Sequence, residues 1–598
     1  MIFNIAAVLK SIQIFTWDVN YLAELASRKS RFSSRPNLYR QLPHSKLIPP
    51  LVARKQRYLH RLGMPLRLLL RLAHLGVIFG PAFLLVAPIC ALSPGRKRPL
   101  LHGIMYWCLQ RAGATFIKLG QWASTRPDIL SPELCRVLCE LNSRAPAHSM
   151  TWNRHVFRSE FGVELEQIFR DFDCNPSGSG TVAQVHRAWL RKSGLEVAVK
   201  ICHPNIEEHI ERDLRLMKIM AEVAHSIPLF RNFNLPEEVG YFSQMMRQQL
   251  NLRHEAYALD HFSRNFSYWK NVHVPVPVYQ FVSTHILTET FATGTAISAF
   301  SCDSLEESLT DPEKEVWTLA KTQIATIGLQ SFLQMLLWDN FVHADLHPGN
   351  IFVRFVNKRG KVYWSDRPSK ELVHLIAQED LIPQLVYLDT GLVTQLSRKD
   401  FQNFNDLFKA LVLHGDGYRA GQLIIERCPP QHRSRIVDPD GFCRSMDTIV
   451  QPIFRNVSLK LKSFAIAPII FQVFDLVRDH RVHLDGSFTN LVMSFGCVEG
   501  LGRQLSPDLN LLPFLASAAL QYLVTNVAFK LDQIRDNAAL VVMVSKHWRE
   551  SFHLPTLTLL STIEQYLAKH STTSQGDSLE RERLCHVRNG GDVPKGQL

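Results

Sequence analysis

The chain has 598 residues, of which 46% are hydrophobic and 20% are charged, a balance that excludes a disordered, collagen-like or coiled-coil protein. Its formal net charge of +13 is concentrated near the N-terminus, since residues 25–127 contain 18 Lys and Arg but no Asp or Glu. The remainder of the chain is net acidic, so nucleic-acid binding by a basic surface of the whole protein is not predicted.

The N-terminal region of the chain predicts targeting and membrane contact. Residues 1–62 are interpreted as a mitochondrial presequence, because residues 25–62 are rich in Arg and Ser and free of acid; a disordered basic arm or a membrane-surface patch is the alternative. The uncharged run at 75–92 is about 27 Å long as a helix, against a bilayer core of about 30 Å, and is a candidate transmembrane helix. Its alternative is a hairpin or a buried helix. A shorter apolar stretch, 511–524, contains Gln521 and is predicted as a core helix.

A glycine-rich loop follows. Residues 178–185 read Gly-Ser-Gly-Thr-Val-Ala-Gln-Val. This sequence differs at one residue from the pattern of the loop that covers ATP phosphates in kinases. Glycine lets backbone N–H groups approach phosphate oxygens without obstruction by a Cβ atom. The residues predicted to bind ATP here are Gly178, Ser179, Gly180, Thr181, Val182 and Ala183.

The next segment supplies a lysine and its possible partners. Lys200 ends a Val-Ala-Val-Lys run that resembles the kinase strand whose lysine binds the α- and β-phosphates. A helix is predicted from residue 206 to 217, and spacing alone favours Glu211 on that helix as the carboxylate that pairs with Lys200. Glu289, in a later strand-like run at the link between two lobes, is counted among the ATP-binding residues.

The strand-like run at 272–281 contains two prolines. Pro275 and Pro277 cannot donate backbone hydrogen bonds, so this run is predicted as an edge strand or an extended segment. A long helix is predicted over 311–338, since Asp311-Pro312 marks its start and no proline follows inside it.

The strongest motif is His-Ala-Asp-Leu-His-Pro-Gly-Asn at 343–350, which matches the kinase pattern HRDLxxxN with Ala in place of Arg. Asp345 is the predicted carboxylate beside the attacking oxygen, and Asn350 supplies an amide oxygen for Mg²⁺. Asp389, in Leu-Asp-Thr-Gly, is the main predicted Mg²⁺ ligand. His343 and His347 are interpreted as loop residues rather than as a metal-binding pair.

These motifs occur in kinase order and predict an α+β fold, protein-kinase-like and two-lobed, that binds ATP and Mg²⁺. No APE motif follows Asp389, and 38 residues separate it from Asn350, which disfavours an ordinary peptide kinase. A small-molecule or specialised phosphotransferase is favoured instead. The 11 cysteines form no CxxC pair, so reduced thiols are predicted rather than a disulfide framework or a zinc site.

Over residues 100–530 the chain resembles the UbiB/AarF-domain-containing atypical kinase family. The segment Phe116–Gln121 carries the family's KxGQ motif, and the HADLHPGN run and Val498–Pro507 match two further family segments. The presequence-like start and the run KLGQWASTR point to an animal branch of the family.

The resemblance implies a domain order and a set of roles. The regions are a presequence-like region at 1–62, the candidate transmembrane helix at 75–92, a helical KxGQ extension at 100–170, an N-lobe at 171–290, a C-lobe at 291–570 whose C-terminal portion is helical, and a polar tail at 571–598. Lys118 and Gln121 would gate the pocket against protein substrates. The catalytic set is Asp345, Lys200 and Glu255, with Glu255 rather than Glu211 as the partner of Lys200, and the metal ligands are Asn350 and Asp389.

The resemblance also implies function and location. It implies an ATP-dependent phosphotransferase or ATPase that supports ubiquinone biosynthesis and lipid metabolism at the mitochondrial inner membrane, with the kinase-like body on the matrix side. Membrane lipids and ubiquinone-biosynthesis proteins are the implied partners; the acceptor and the oligomeric state stay open. The alternative is a weakly active nucleotide-sensing scaffold of a membrane complex.

Two departures from the family pattern bear on these roles. The glycine-rich loop replaces an alanine-rich one, which puts the family's nucleotide preference in doubt. The family's acidic ExD pair falls on Gln249 and Asn251, so any metal or proton role of that pair is in doubt as well.

Overall fold

The computed structural model describes residues 52–509 apart from gaps at 83, 85–97, 128–129, 142–144, 228–233, 302–304, 456–466, 485 and 508. The predictions for residues 1–51, for the stretch 511–524 and for the tail 571–598 therefore lie outside the described residues. All the described residues belong to one compact unit, 47–511.

A group of helices precedes the first strand. They are α1 (Val52–Pro81), α2 (Arg98–Ala112), α3 (Ala114–Ser124), α4 (Pro132–Cys139), α5 (Met150–Phe161) and the short α6 (Leu165–Ile168). Buried Asp213 fixes two of them to the body, because it accepts hydrogen bonds from Arg71 Nε on α1 at 2.8 Å and from Thr115 Oγ1 on α3 at 3.0 Å. Helix α3, which carries Lys118 and Gln121, is thus anchored at its first turn.

The first sheet is antiparallel and six-stranded. Its strands are β1 (Phe169–Arg170), β2 (Gly178–Ser179), β3 (Ala183–Leu190), β4 (Glu196–Cys202), β6 (Pro277–Val282) and β7 (Ile286–Thr290), in the order β1-β3-β4-β7-β6 with β2 beside β3. The side chains of Phe157, Phe169 and Val199 pack between this sheet and α5. Lys200 on β4 lies in register with Val185 and Leu287 on its two neighbours, so the glycine-rich loop and the lysine are adjacent.

Three helices and one short strand connect β4 to β6. They are α7 (Ile206–Ser226), α8 (Leu235–Leu250), α9 (Leu252–Asn265) and β5 (Val272–His273). Helix α7 buries Ile206, Ile210, Leu214 and Met217, as their spacing predicts. The predicted single strand at 272–281 is instead divided at Pro275: β5 pairs with the second sheet, whereas β6 is the edge strand of the first. The edge position follows from the proline positions.

The second sheet is mixed and five-stranded. Its strands are β5, β8 (Thr295–Ala296), β10 (Ile351–Val356), β11 (Val362–Tyr363) and β12 (Ile382–Tyr387), and β9 (Val342–His343) pairs separately with β13 (Val393–Thr394). Helix α10 (Asp311–Leu333) begins with a capping box between Thr310 and Glu313. It ends before the predicted residue 338, because wider π-helical turns at Gln334–Asp339 follow it and lead towards the motif at 343–350.

The C-terminal portion is helical. It contains α11 (Lys370–Glu379), α12 (Arg398–Phe408), α13 (Gly417–Arg427), α14 (Pro430–Arg433), α15 (Pro439–Arg455), α16 (Ala467–Asp479) and α17 (Gly486–Leu505). Ala420, Phe442 and Phe474 belong to a second buried core among α13, α15 and α16. Helix α17 packs along α10, which connects this helical portion to the helix that precedes the motif at 343–350.

Within the described portion of the chain, no helix is long and apolar enough to cross a membrane. Residues 75–81 of the candidate transmembrane segment form the end of α1, and residues 83 and 85–92 lie outside the described residues. The transmembrane interpretation therefore stays a prediction.

Candidate active site

A lysine and two carboxylates form the centre of the site. Lys200 Nζ on β4 donates hydrogen bonds to both oxygens of Glu255, at 2.8 and 2.9 Å, and to Asp389 Oδ1 at 3.2 Å. Burial disfavours the ammonium, but the charges of Asp389 and Glu255 outweigh it and hold the pKa of Lys200 above its ordinary value. Lys200 is therefore cationic and held in one place between the two acids.

The partner of Lys200 is determined by the position of α9. Glu255 lies in the first turn of α9 and is buried, whereas Glu211 on α7 pairs with Arg247 at 2.5 Å. The pairing of Lys200 with Glu211 that spacing favoured is therefore wrong, because α9 and not α7 presents a carboxylate to β4.

Pairing of β10 with β12 brings the two predicted metal ligands together. Ile351 lies in register with Tyr387, and the Leu388 N–H donates to the Asn350 carbonyl at 2.9 Å. The intervening residues include α11 and β11, which pairs with the other edge of β10. Asn350 and Asp389 thus lie at the same end of the paired strands β10 and β12, despite their separation in sequence.

Hydrogen bonds between side chains and the backbone hold the loop at 343–350. His343 Nε2 donates to the Leu388 carbonyl at 3.1 Å, and its Nδ1 accepts from the Asp345 N–H at 3.2 Å. His347 Nδ1 accepts from the Gly349 N–H at 3.0 Å. Asn350 Nδ2 donates to the Asp345 carbonyl at 3.0 Å, which leaves the amide oxygen as its remaining ligand atom. Both histidines therefore shape the loop, as the sequence indicates.

The surroundings of Asp389 keep its side chain ionised. The charge of Lys200 holds the pKa of Asp389 well below its usual range, and Lys118 adds to the effect. The side chain is half exposed, and the backbone has a positive φ of 49°. A methyl group at Gly391 would lie 3.3 Å from Asp389 Oδ1 and 3.4 Å from Glu255 Oε2, so glycine there leaves room for both carboxylates.

The KxGQ segment reaches the site through Lys118. Lys118 Nζ lies 4.0 Å from Asp345 Oδ2. Gln121 has a different partner, since its Nε2 donates to the Leu141 carbonyl at 3.0 Å. A methyl at Gly120 would lie 2.2 Å from Leu141 Cδ1, so glycine lets α3 pack closely here. Lys118 therefore lies beside Asp345, whereas Gln121 fastens α3 to the segment after α4.

The glycine-rich loop closes as a tight turn. The Gly180 N–H donates to the Ala183 carbonyl at 2.9 Å, and His203 Nε2 donates to the Gly180 carbonyl at 2.8 Å. The extension touches this loop, because the Ala145 N–H donates to the Ser179 carbonyl at 3.2 Å. The side chains of Thr181, Val182 and Ala183 are buried. The role of His203 has no signal in the sequence, since it depends on the fold of β3 against β4.

Glu289 lies in the same electrostatic cluster. It is in register with Ala198 of β4, and burial together with the Glu255 carboxylate raises its pKa to about 8. Glu289 Oε2 has no hydrogen-bond partner among the described residues. At neutral pH most of this carboxyl group is therefore protonated.

Comparison of the chain with known proteins identifies its family. Residues 140–422 match the ABC1 atypical kinase-like domain, and residues 446–510 match the UbiB helical domain. A mitochondrial ABC1 family protein of Schizosaccharomyces pombe is 34% identical over 509 residues, which are 76% of this chain and 71% of the relative. The chain belongs to the ABC1 family.

Two other relatives extend the comparison. A mitochondrial ABC1 family protein of Saccharomyces cerevisiae is 33% identical over 75% of this chain and 73% of its own length. An Aeromonas hydrophila protein named "Probable protein kinase UbiB" is 29% identical over 67% of this chain and 66% of its own length. The fold is accordingly kinase-like and α+β, and the UbiB/AarF resemblance is confirmed.

The two amides that replace the family's acidic pair have different surroundings. Asn251 is the N-cap of α9, and its Oδ1 accepts from the Arg253 N–H at 3.1 Å. It therefore helps to start the helix that presents Glu255. Gln249 Oε1 is buried and has no hydrogen-bond partner in the described portion of the chain.

Sequence reasoning assigned no role to Arg126, which follows the KxGQ motif of this ABC1 family member. Arg126 is 1% exposed, and its guanidinium forms a bidentate ion pair with buried Glu238 on α8, with Nη2 3.0 Å from Oε1. The guanidinium also lies over the Trp122 ring at 5.3 Å. This pair connects the extension to α8, and 112 residues separate its partners, so no local pattern could indicate it.

The glycine-rich loop yields a first prediction. A Cβ atom at Gly178 would meet no described atom within 4 Å, so Gly178→Ala should leave the melting temperature unchanged. We expect Mg-ATP affinity to fall about 10-fold, because the added methyl keeps phosphate oxygens from the backbone. Titration calorimetry with Mg-ATP measures this change.

The matched control is Gly240→Ala on α8, where a Cβ atom also has at least 4 Å of space relative to the described atoms. It should raise helix stability and leave Mg-ATP affinity as in the wild type. Equal affinity of both variants and the wild type would contradict a phosphate-binding role of the loop.

Proposed function

We propose that this ABC1 family member is an Mg-ATP-dependent phosphotransferase or ATPase of the UbiB type. The observation that carries the proposal is the position of Lys200 between Glu255 and Asp389, with Lys118 beside Asp345. A cation held between two acids can bind phosphate oxygens, and a carboxylate on the adjacent loop can accept a proton from an attacking oxygen.

The residues present fit ATP and Mg²⁺. Ser179 Oγ in the glycine-rich loop is buried with no hydrogen-bond partner among described residues, and Gly178 borders open space. Asp389 and Asn350 offer a charged and a neutral oxygen, a donor set that suits Mg²⁺. When bound, the ion would neutralise phosphate charge. Lys200 would orient the phosphates, and Asp345 would hold the proton of the acceptor.

The helical extension before β1 contacts the proposed nucleotide site. The Ala145 contact to the loop and the Lys118 contact to Asp345 both come from the segment before the first sheet. In this proposal both contacts restrict the access of a peptide to Asp345.

Lys118 provides a second prediction. Lys118→Ala should lower kcat/KM for ATP about 10-fold, because a cation beside Asp345 and Asp389 is lost. Its effect should be less than additive with that of Lys200→Ala, since both lysines act on the same phosphates. Turnover of both single variants and of the double variant measures the coupling. Strictly additive effects, or wild-type turnover of Lys118→Ala, would contradict a role at the phosphates.

Location is the third prediction. The two fungal relatives are mitochondrial by name, and we propose the inner membrane, with the kinase-like body on the matrix side, for this chain. Residues 1–100 fused to a fluorescent reporter should carry it to mitochondria. Carbonate extraction should leave the reporter in the pellet only while residues 75–92 are present. A cytosolic reporter would contradict the presequence, and a fully extractable one the membrane span.

The proposed biological role is support of ubiquinone biosynthesis and lipid metabolism, with membrane lipids and ubiquinone-biosynthesis proteins as partners. ATP turnover by the purified full chain, with and without vesicles and quinone precursors, tests it. Stimulation by precursors that Asp389→Asn abolishes is the expected result. The second candidate is a nucleotide-sensing scaffold, favoured by the amides Gln249 and Asn251 in place of acids. Tight Mg-ATP binding without turnover under every condition would support the scaffold.

A further inference from the structure

A second cluster of ligating side chains lies on α8, on α14 and in the segment before α17. We propose that Glu237, His432 and His483 bind one divalent transition-metal ion, with Zn²⁺ as the best chemical fit. One ligand atom from each side chain lies within 4.8 Å of the other two. None of these residues belongs to the kinase-like motifs, so the site is separate from the proposed nucleotide site.

His432 gives the strongest indication of a ligand. The residue is 7% exposed, and its Nε2 is buried without a hydrogen-bond partner within the described residues. The nearest acidic oxygen, Glu237 Oε2, is 3.5 Å away, longer than an ordinary hydrogen bond. Buried polar atoms in native proteins almost always have a partner, and a metal ion would supply one here.

The other two ligands are already brought towards this nitrogen. The His432 and His483 rings stack with their centroids 4.2 Å apart. Asn234 Nδ2 donates to the Glu237 carboxylate, an outer hydrogen bond of the kind that orients ligating carboxylates. Ligands around one tetrahedral Zn²⁺ are about 3.4 Å apart, so metal binding would bring the more distant ligand atoms closer by up to about 1.4 Å and turn the rings out of their stack.

The donor set selects the class of metal. Two imidazole nitrogens and one carboxylate oxygen suit Zn²⁺ and other borderline transition metals, whereas Mg²⁺ and Ca²⁺ prefer oxygen ligands throughout. A fourth position would be left for water.

The three ligands come from three regions of the chain. Glu237 lies in the ABC1 domain match, His432 in the segment between the two matches, and His483 in the UbiB helical domain match. The Arg126–Glu238 ion pair lies next to Glu237 in sequence, and Arg478 Nη1 donates to the Pro127 carbonyl at 2.8 Å. A bound ion would therefore fasten the helical domain to the kinase-like domain at the junction that also holds the extension.

The test uses the purified full chain after removal of metals by a chelator. We expect it to bind one equivalent of Zn²⁺ in titration calorimetry and to melt at a higher temperature with Zn²⁺ than without it. Co²⁺ used in place of Zn²⁺ should give visible absorption bands of a tetrahedral complex. His432→Ala and His483→Ala should each weaken Zn²⁺ binding at least 10-fold, and Asn234→Ala about 10-fold.

Two controls separate this site from other effects. Exposed His414→Ala should bind Zn²⁺ like the wild type, and Asp389→Asn should also retain it, which separates this site from the proposed nucleotide site. If His432→Ala does not fold, Glu237→Gln keeps the side-chain shape while removing the charge, and the same 10-fold loss is expected. Zn²⁺ affinity of Glu237→Gln and the histidine variants equal to that of the wild type, or no stoichiometric binding by the wild type, would overturn the proposal.

Discussion

Replacing Asp389 by Asn is expected to lower kcat/KM for ATP about 1,000-fold, the effect of removing one essential electrostatic group from an active site. The carboxylate lies 3.2 Å from Lys200 Nζ, and the lysine keeps it ionised. The Asn side chain keeps the shape of Asp389 but lacks the negative charge that would bind the metal ion. Stabilisation of the protein by Mg-ATP, measured as a shift in melting temperature, should be lost at the same time.

The backbone conformation at residue 389 is compatible with Asn, so the variant can be compared directly with the wild type. Asp389 has a positive φ of 49°, a conformation that Asn adopts as readily as Asp, so the fold should be unaffected. The control is Asp380→Asn, because Asp380 has a φ of 50° and forms an exposed ion pair with Lys358. It should retain wild-type turnover. A wild-type melting shift with Mg-ATP in Asp389→Asn would refute the metal role of Asp389.

Arg126→Met is expected to destabilise the protein by about 3–5 kcal/mol, because it leaves the Glu238 carboxylate buried without its partner. Both side chains are almost wholly buried, with exposures of 2% and 9%. Urea unfolding followed by circular dichroism measures the change in the free energy of unfolding. The double variant Arg126→Met/Glu238→Leu should recover most of the loss, since an apolar pair of similar volume avoids the cost of burying charge.

An exposed pair on α15 serves as the control. Arg444 and Asp440 are 2.9 Å apart with side-chain exposures of 68% and 56%. Arg444→Met should therefore cost less than about 1 kcal/mol. A loss below about 1 kcal/mol for Arg126→Met, or no recovery in the double variant, would show that the buried pair does not hold the extension to α8.

Motifs that carry chemistry could be located from the sequence, because phosphate and metal binding restrict both residue type and spacing. This reasoning identifies Lys200, Asp345, Asn350 and Asp389, and the structure brings these residues close together. The proximity of Asn350 and Asp389 could not be predicted from their spacing, because it results from the pairing of β10 with β12. Their catalytic roles remain predictions.

Contacts that depend on tertiary packing could not be predicted. Glu211 is closer to Lys200 in sequence, yet α7 directs it to Arg247 while α9 supplies Glu255. Likewise, the division of 272–281 between two sheets depends on the parallel pairing of β5 with β12. The sequence around Pro275 does not indicate this pairing. Local propensity reports the extended conformation but not the partner strand.

The most direct test is an experimental structure of the full chain with Mg²⁺ and a non-hydrolysable ATP analogue. We predict that the triphosphate lies between the glycine-rich loop and Lys200, with the metal ion bound by Asn350 and Asp389 and with Lys118 facing the phosphates. A nucleotide bound elsewhere on the protein, or no nucleotide in the cleft at millimolar concentration, would contradict Mg-ATP binding as the basis of function.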